Sequence, residues 1–187
     1  MLDRRDLVQR LLIDRGNLLV VSGLGSATYD VAAAGDNPLN FYLWGAMGGT
    51  AMIGLGLALA QPSRRVAVLT GDGDMLMGIG SLATIGVKQP SNLAIVVLDN
   101  AHYGETGMQP SHTRSGIDLV AMALACRFKH ARAVSRMDDT AGVRELLHAG
   151  EGPILVNARL KEEDVPRVLP LRDGHAIKQR FMDALNA

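Results

Sequence analysis

An α/β fold, with a mainly parallel sheet and helices on both faces, is what this sequence predicts. Three observations carry that prediction. Apolar runs at residues 18–21, 66–69, 93–98 and 154–156 alternate with helix-like segments. Strands that alternate with helices make parallel sheets buried on both faces, so their sequences are apolar throughout rather than at every second position. Three glycine or Asp-Asn turns, Gly23-Leu-Gly25, Gly71-Asp-Gly73 and Asp99-Asn100, follow such runs. Glycine and alanine are plentiful while aromatics make up only 4% of the chain, a mix that lets helices lie close on a sheet.

The elements follow in order. Residues 2–13 set Leu7, Val8, Leu11 and Leu12 among charges, the pattern of an amphipathic helix. A turn at 14–17, with Gly16 as C-cap, leads into a strand at 18–21. Small residues at 22–28 turn the chain into a helix near 28–34, which Gly35-Asp-Asn-Pro38 ends. Residues 40–43 are extended, 44–49 form a glycine-rich turn, and 50–60 form a helix of small and aliphatic residues predicted to be buried. A strand at 66–70 precedes a helical region at 74–87, which Gly78, Gly80 and Gly86 weaken or break in two. The strand at 93–98 is followed by a long polar loop, 99–116, of the kind that carries function in a compact domain. An apolar helix at 117–126, a weak strand at 130–134, an amphipathic helix at 138–149 and a strand at 154–157 complete the alternation. Residues 161–170 are charged and irregular, and 177–185 form a surface helix. Arg4, Arg5, Arg172, Lys178 and Arg180 read as solvated helix faces, and His130, His148 and His175 as structural or exposed.

Composition excludes several classes. A chain of 187 residues fits a single domain spanning 1–187. The formal net charge is zero, which removes the electrostatic case for nucleic acid. Cys126 is the single cysteine, so there is no intramolecular disulfide framework and no Cys-rich zinc site; it reads as an inert thiol. Apolar stretches are too short and too rich in glycine for a membrane span, and the opening residues lack the layout of a secretory signal. A cytoplasmic location is the expectation.

In a parallel sheet, ligands bind outside the carboxyl ends of the strands. Gly23-x-Gly25-x-x-Thr28 lacks the third glycine of a dinucleotide fingerprint and reads as a tight turn. Neither a Gly-Lys-Ser/Thr phosphate loop nor a Gly-x-Ser-x-Gly elbow is present. Gly71-Asp72-Gly73 is more informative. A strand, a glycine turn and a helix start present free backbone N–H groups to an anion. Asp72 adds a hard oxygen suited to a cation such as Mg²⁺. A spacer of 25 residues, 74–98, separates this turn from Asp99-Asn100, which closes the next strand. Together they suggest a magnesium–diphosphate site.

At this point the sequence resembles the thiamine-diphosphate-dependent enzymes, in their diphosphate-binding module. The resemblance runs roughly from residue 18 to 156. Within the family, the segments Asn40-Phe-Tyr-Leu-Trp-Gly-Ala-Met-Gly-Gly49, Gly71-Asp-Gly-Asp-Met-Leu-Met77 and Gly80-Ser-Leu-Ala-Thr-Ile-Gly86 are most similar to the decarboxylases of sulfopyruvate and phosphonopyruvate. The resemblance implies thiamine diphosphate and Mg²⁺ as cofactors. It implies Asp72, the Asn100 side chain and the His102 carbonyl as metal ligands, with Gly73 and Asp74 offering N–H groups to the diphosphate beside Gly71. It also implies that Gly45-Ala46-Met47-Gly48 holds the aminopyrimidine, with the Gly45 carbonyl as acceptor and Met47 as the apolar wedge. Asp99 stands where the family usually has asparagine, and is read as serving the turn or the metal's surroundings indirectly.

In the 99–116 loop, Glu105 and His112 are candidates for handling protons; the competing reading makes them solvated or interface residues. Tyr103 and Gln109 are weaker candidates there. The family's catalytic glutamate belongs to a second, pyrimidine-binding domain for which this chain has no room. The resemblance therefore implies a separate α subunit that supplies it, with two α and two β chains as the least assembly. The implied activity is carboxy-lyase action on a small anionic 2-oxo acid, giving an aldehyde and CO₂. Another thiamine-dependent lyase, an acetolactate-synthase-like carboligase subunit and a regulatory subunit without turnover are the alternatives, with an NAD-binding protein more distant.

Overall fold

The computed structural model describes residues 1–163 and 165–186. Its first helix forms where the apolar stripe lies. α1 (Arg4–Leu12) is capped by Asp3, whose carboxylate accepts the Asp6 N–H, and it buries Leu7, Val8, Leu11 and Leu12. β1 (Leu19–Ser22) is fully buried. α2 (Ser26–Ala33) starts after Gly25, whose φ of 69° lies in the left-handed region that favours glycine. β2 (Asn40–Tyr42) and α3 (Thr50–Ala60) follow. β3 (Val66–Gly71) runs directly into α4 (Asp72–Met77), and α5 (Ser81–Lys88) comes next. The expected helical region at 74–87 is thus two helices, broken at 78–80. The break has a packing cause: a Cβ on Gly78 would lie 2.0 Å from the Gly48 carbonyl oxygen, so two backbones meet there. Gly86 stays inside α5.

β4 (Leu93–Asp99) is buried along its whole length. The polar loop after it is more ordered than its sequence predicts. It contains a small antiparallel hairpin, β5 (His102–Tyr103) with β6 (Gln109–Pro110), and single 3₁₀ turns at Gly104–Thr106 and His112–Ser115. The Met108 N–H donates to the Tyr103 carbonyl at 3.0 Å and the Ser111 N–H to that of Ala101 at 2.9 Å, which closes the hairpin. α6 (Leu119–Ala125), β7 (His130–Val134), α7 (Thr140–Ala149) and β8 (Ile154–Arg159) complete the alternation. α8 (Gly174–Asn186) begins three residues before the expected start, because the Asp173 carboxylate accepts the His175 and Ala176 N–H groups.

Six strands pair in parallel in the order β2-β1-β3-β4-β8-β7. Alternate residues of each central strand enter opposite cores, as the period of two requires. Val20, Ala67, Leu69, Ala94 and Val96 pack with α1, α2 and α7. Leu19, Val21, Val66, Val68, Leu93 and Ile95 pack with α3, α5, α6 and α8. The helices therefore lie on both faces. Register sets Ser22 opposite Leu69, and Gly71 opposite Leu98, so β1, β3 and β4 end on one rim. β2 lies to one side of β1 and β3 to the other, which opens a crevice at that rim. Among the described residues no helix is long and apolar enough to cross a membrane.

Two expectations need correction. α3 is not buried all round: Ala51, Leu55 and Ala58 face the sheet, whereas Met52 and Leu59 stand 41% and 49% exposed. An all-apolar sequence conceals which face is inward. Arg4 and Arg5 are not solvated. Arg4 is 4% exposed and pairs through Nη2 with Asp30 at 2.8 Å, and Arg5 Nε lies 3.1 Å from the same carboxylate. Arg180, also expected in solvent, pairs with Asp36 at 2.7 Å.

Candidate functional site

The end of β3 fixes the centre of the site. Asp72 is the first residue of α4 and only 1% exposed. Its carboxylate accepts the Ser111 hydroxyl, and Thr113 Oγ1 lies 3.3 Å from it and 2.8 Å from Asp99 Oδ1. Thr113 thus bridges two buried carboxylates. Asp99 also accepts the Ala101 N–H at 3.0 Å and the Asn157 amide at 2.9 Å, so it does serve the turn. Burial pushes the Asp72 carboxyl up to about 6, and the nearby charge of Asp99 adds to the rise. Among the described residues no lysine, arginine or histidine pairs with either carboxylate. Two buried carboxylates without a basic partner, beside hydroxyl and amide oxygens, make a donor set that fits a hard cation.

Asp74 has a second part to play, one its motif does not reveal. Its buried carboxylate accepts the Thr70 and Thr50 hydroxyls and, at 2.5 Å, the Gly48 N–H. One side chain therefore ties β3, the first turn of α3 and the 45–48 turn together. Within that turn Ala46 has φ of 59°, and its carbonyl accepts the Gly49 N–H at 2.8 Å. Gly73 must be glycine, since a Cβ there would meet the Tyr103 ring at 2.5 Å; Met47 Cε approaches the same point at 3.4 Å.

A cavity opens at this rim. Met47, Gly71, Asp72, Gly73, Asp74, Asn100, His102, Tyr103 and Glu105 all line it. The structure thus brings together most of the residues singled out in the sequence. Gly45, Ala46 and His112 do not line it: the first two lie in the exposed turn beside Met47, and His112 Nδ1 is 3.3 Å from the Tyr103 hydroxyl. Asn100 Oδ1 accepts the His102 N–H at 3.1 Å, and the His102 ring contacts the Asn100 carbonyl at 2.8 Å and Glu162 at 3.6 Å. Glu105 pairs with Arg167 at 3.3 Å. The first N–H groups of α4 have no partner within the helix, so the arrangement offers donors to an anion next to acceptors for a cation.

The sequence reading missed several cavity residues. Leu24 belongs to the turn after β1, and Ser26 and Ala27 open α2. That turn is tight, as expected, with the Thr28 hydroxyl donating to the Gly23 carbonyl at 2.8 Å, yet it also opens onto the cavity. The strand–glycine–helix succession was the available signal. Arg4 is a further wall residue. Its signal was position, since it shares the α1 stripe with Leu7, Val8 and Leu11.

Comparison with known proteins places the chain in a family. Residues 23–158 match the family described as thiamine pyrophosphate enzyme, C-terminal TPP binding domain. The β subunit of sulfopyruvate decarboxylase from Methanothermobacter thermautotrophicus is 39% identical over 184 residues, covering 97% of this chain and 95% of that one. Phosphonopyruvate decarboxylase from Streptomyces viridochromogenes is 38% identical over 156 residues, covering 81% of this chain but 39% of the relative. The chain thus spans nearly the whole of the first relative and about two fifths of the second. Among solved structures, the thiamine diphosphate-dependent 4-hydroxybenzoylformate decarboxylase of Rhodococcus jostii shares the fold at a TM-score of 0.68 and 21% identity, over 88% of this chain and 33% of that one. With most of its length matched, and with a crevice between β1 and β3 built as described, this chain belongs to the thiamine pyrophosphate enzyme family and carries its C-terminal TPP-binding domain.

Proposed function

We propose that the chain, read as one diphosphate-binding module over 1–187, is the β subunit of a thiamine-diphosphate- and Mg²⁺-dependent decarboxylase. The reading takes sulfopyruvate, or phosphonopyruvate, as the acid, with an aldehyde and CO₂ as products. The observation that carries it is the pairing of the buried Asp72–Asp99 site with near-complete coverage of a sulfopyruvate decarboxylase β subunit. When bound, thiamine diphosphate supplies a carbon nucleophile for the 2-oxo group and an electron sink for the pair left by CO₂.

The residues divide the remaining work. Asp72, Asn100 and the His102 carbonyl would hold Mg²⁺, a share that leaves positions for phosphate and water. Gly73 and Asp74, following Gly71, would donate backbone N–H groups to the diphosphate. The Asp74 carboxylate holds the 45–48 turn in place, so that the Gly45 carbonyl, Ala46 and Met47 can bind the aminopyrimidine. Glu105 on the cavity wall is the better placed proton-handling candidate. His112 would act only through Tyr103. The family's catalytic glutamate would come from a separate α subunit, which makes the chain active only in that assembly.

Calorimetric titration of the α–β assembly with thiamine diphosphate and Mg²⁺ tests the reading. Tight, metal-dependent binding is expected, with Asp72→Ala abolishing the metal dependence. Binding that survives Asp72→Ala unchanged would remove Asp72 from the site.

A further inference from the structure

Arg4 is an arginine in an unusual place. It lies in the first turn of α1, yet it is 4% exposed and borders the cavity at the carboxyl ends of β1, β3 and β4. Asp30 of α2 holds it from one side: Nε lies 2.9 Å and Nη2 2.8 Å from Asp30 Oδ2. Asp30 is itself 1% exposed, so this grip is well shielded from water. Among the described residues, Arg4 Nη1 has no hydrogen-bond or ion-pair partner. Glu163 contacts Arg4 only through the backbone, accepting its N–H at 3.4 Å.

The neighbouring arginines are engaged elsewhere. Arg5 spends its guanidinium on Asp30 and on the Tyr29 and Pro166 carbonyls. Arg167 pairs with Glu105. Arg4 is thus a buried arginine with a guanidinium edge left over, on a wall that also presents Ser26, Gly73 and Asn100. Asp30 already balances this cation, and the Nη1 edge is not sealed in the protein, so it is open to a second anion that enters the cavity. Guanidinium suits phosphate oxygens because its fixed donors match their geometry.

We propose that Arg4 is a diphosphate-binding residue, aimed at the cavity by Asp30. The proposal rests on reading this cavity as the thiamine diphosphate site. It gives the diphosphate a fixed cation from the amino-terminal helix in addition to backbone donors and metal. Asp30 then serves as a positioning residue, setting the direction of the guanidinium without touching the ligand.

The test uses the α–β assembly titrated with thiamine diphosphate at saturating Mg²⁺, at two salt concentrations, for wild type, Arg4→Lys, Arg4→Met and Asp30→Asn. Arg4→Met should weaken binding about ten- to a hundredfold, the range for a lost charge-assisted hydrogen bond. It should also reduce the salt dependence, and Arg4→Lys should recover part of both. Asp30→Asn keeps the cation and should weaken binding less than Arg4→Met, while lowering the unfolding midpoint at least as much. Wild-type affinity and salt dependence in a folded Arg4→Met assembly would overturn the proposal alone. Equal losses in Arg4→Met and Asp30→Asn would reduce Arg4 to a structural ion pair and overturn it too. Failure of the wild type to bind would overturn the cofactor reading and this proposal together. Circular dichroism confirms folding of each variant, and Arg4→Lys stands in if Arg4→Met does not fold.

Discussion

At the scale of single residues, Asp72 is under tension between the fold and the metal proposed for it. Burial raises its carboxyl from 3.8 to about 6. The neutral form is the one the metal-free fold tolerates, so the folded chain takes up the proton before the unfolded one does. Its contribution to stability is full below pH 4 and is lost as pH rises through 6, a change of up to about 3 kcal/mol at 1.36 kcal/mol per unit. Urea unfolding in the presence of a chelator should show Asp72→Asn gaining on wild type between pH 4 and 7; parallel curves would contradict the assignment. Asp72 and Asn100 were legible because a glycine turn and a fixed spacer mark them. Ser111 and Thr113, which hold Asp72, were not: a hydroxyl in a loop has no periodicity to betray it. Arg4 was readable in principle, since a charge on an apolar stripe demands a buried partner, but chain order alone does not say that Asp30 is that partner.

At the scale of elements, close approach decides more than propensity does. α3 lies so near β3 that a Cβ on Gly54 would come 2.2 Å from Val68 Cγ2. Gly54→Ala should therefore cost about 1–3 kcal/mol by overpacking, and Val68→Ala in the same chain should recover part of the loss. Thermal unfolding of the two single variants and the double variant measures the coupling, and strict additivity would mean that the contact is not the cause. The central strands β1, β3 and β4 were legible because their apolar runs are uninterrupted, whereas β7, with His130 and Arg132, reads only weakly. The hairpin in the 99–116 loop was not, because two strands of two residues each leave no pattern to read. Its turn instead depends on Gly107 at φ of 110° and Met108 at φ of 59°, a combination in which only the glycine gives a signal.

At the scale of the whole molecule, the chain presents one finished wall of a site and an apolar helix face beside it. Met52 and Leu59 of α3 are exposed although nothing polar separates them along that face. The proposed α subunit would cover them, so Met52→Glu with Leu59→Glu should prevent co-assembly while leaving the unfolding midpoint of the chain alone nearly unchanged. Light scattering on the mixed subunits reads this directly, and an intact complex would place the interface elsewhere. The central claim is that this chain supplies the metal and diphosphate half of a decarboxylase that another chain completes. The most direct measurement is CO₂ release from sulfopyruvate and phosphonopyruvate, with thiamine diphosphate and Mg²⁺, by each subunit alone and by the pair. The account predicts release by the pair, none by either subunit alone, and loss of release when only this chain carries Asp72→Ala. Release by this chain unaided, or undiminished release by the Asp72→Ala pair, would contradict it.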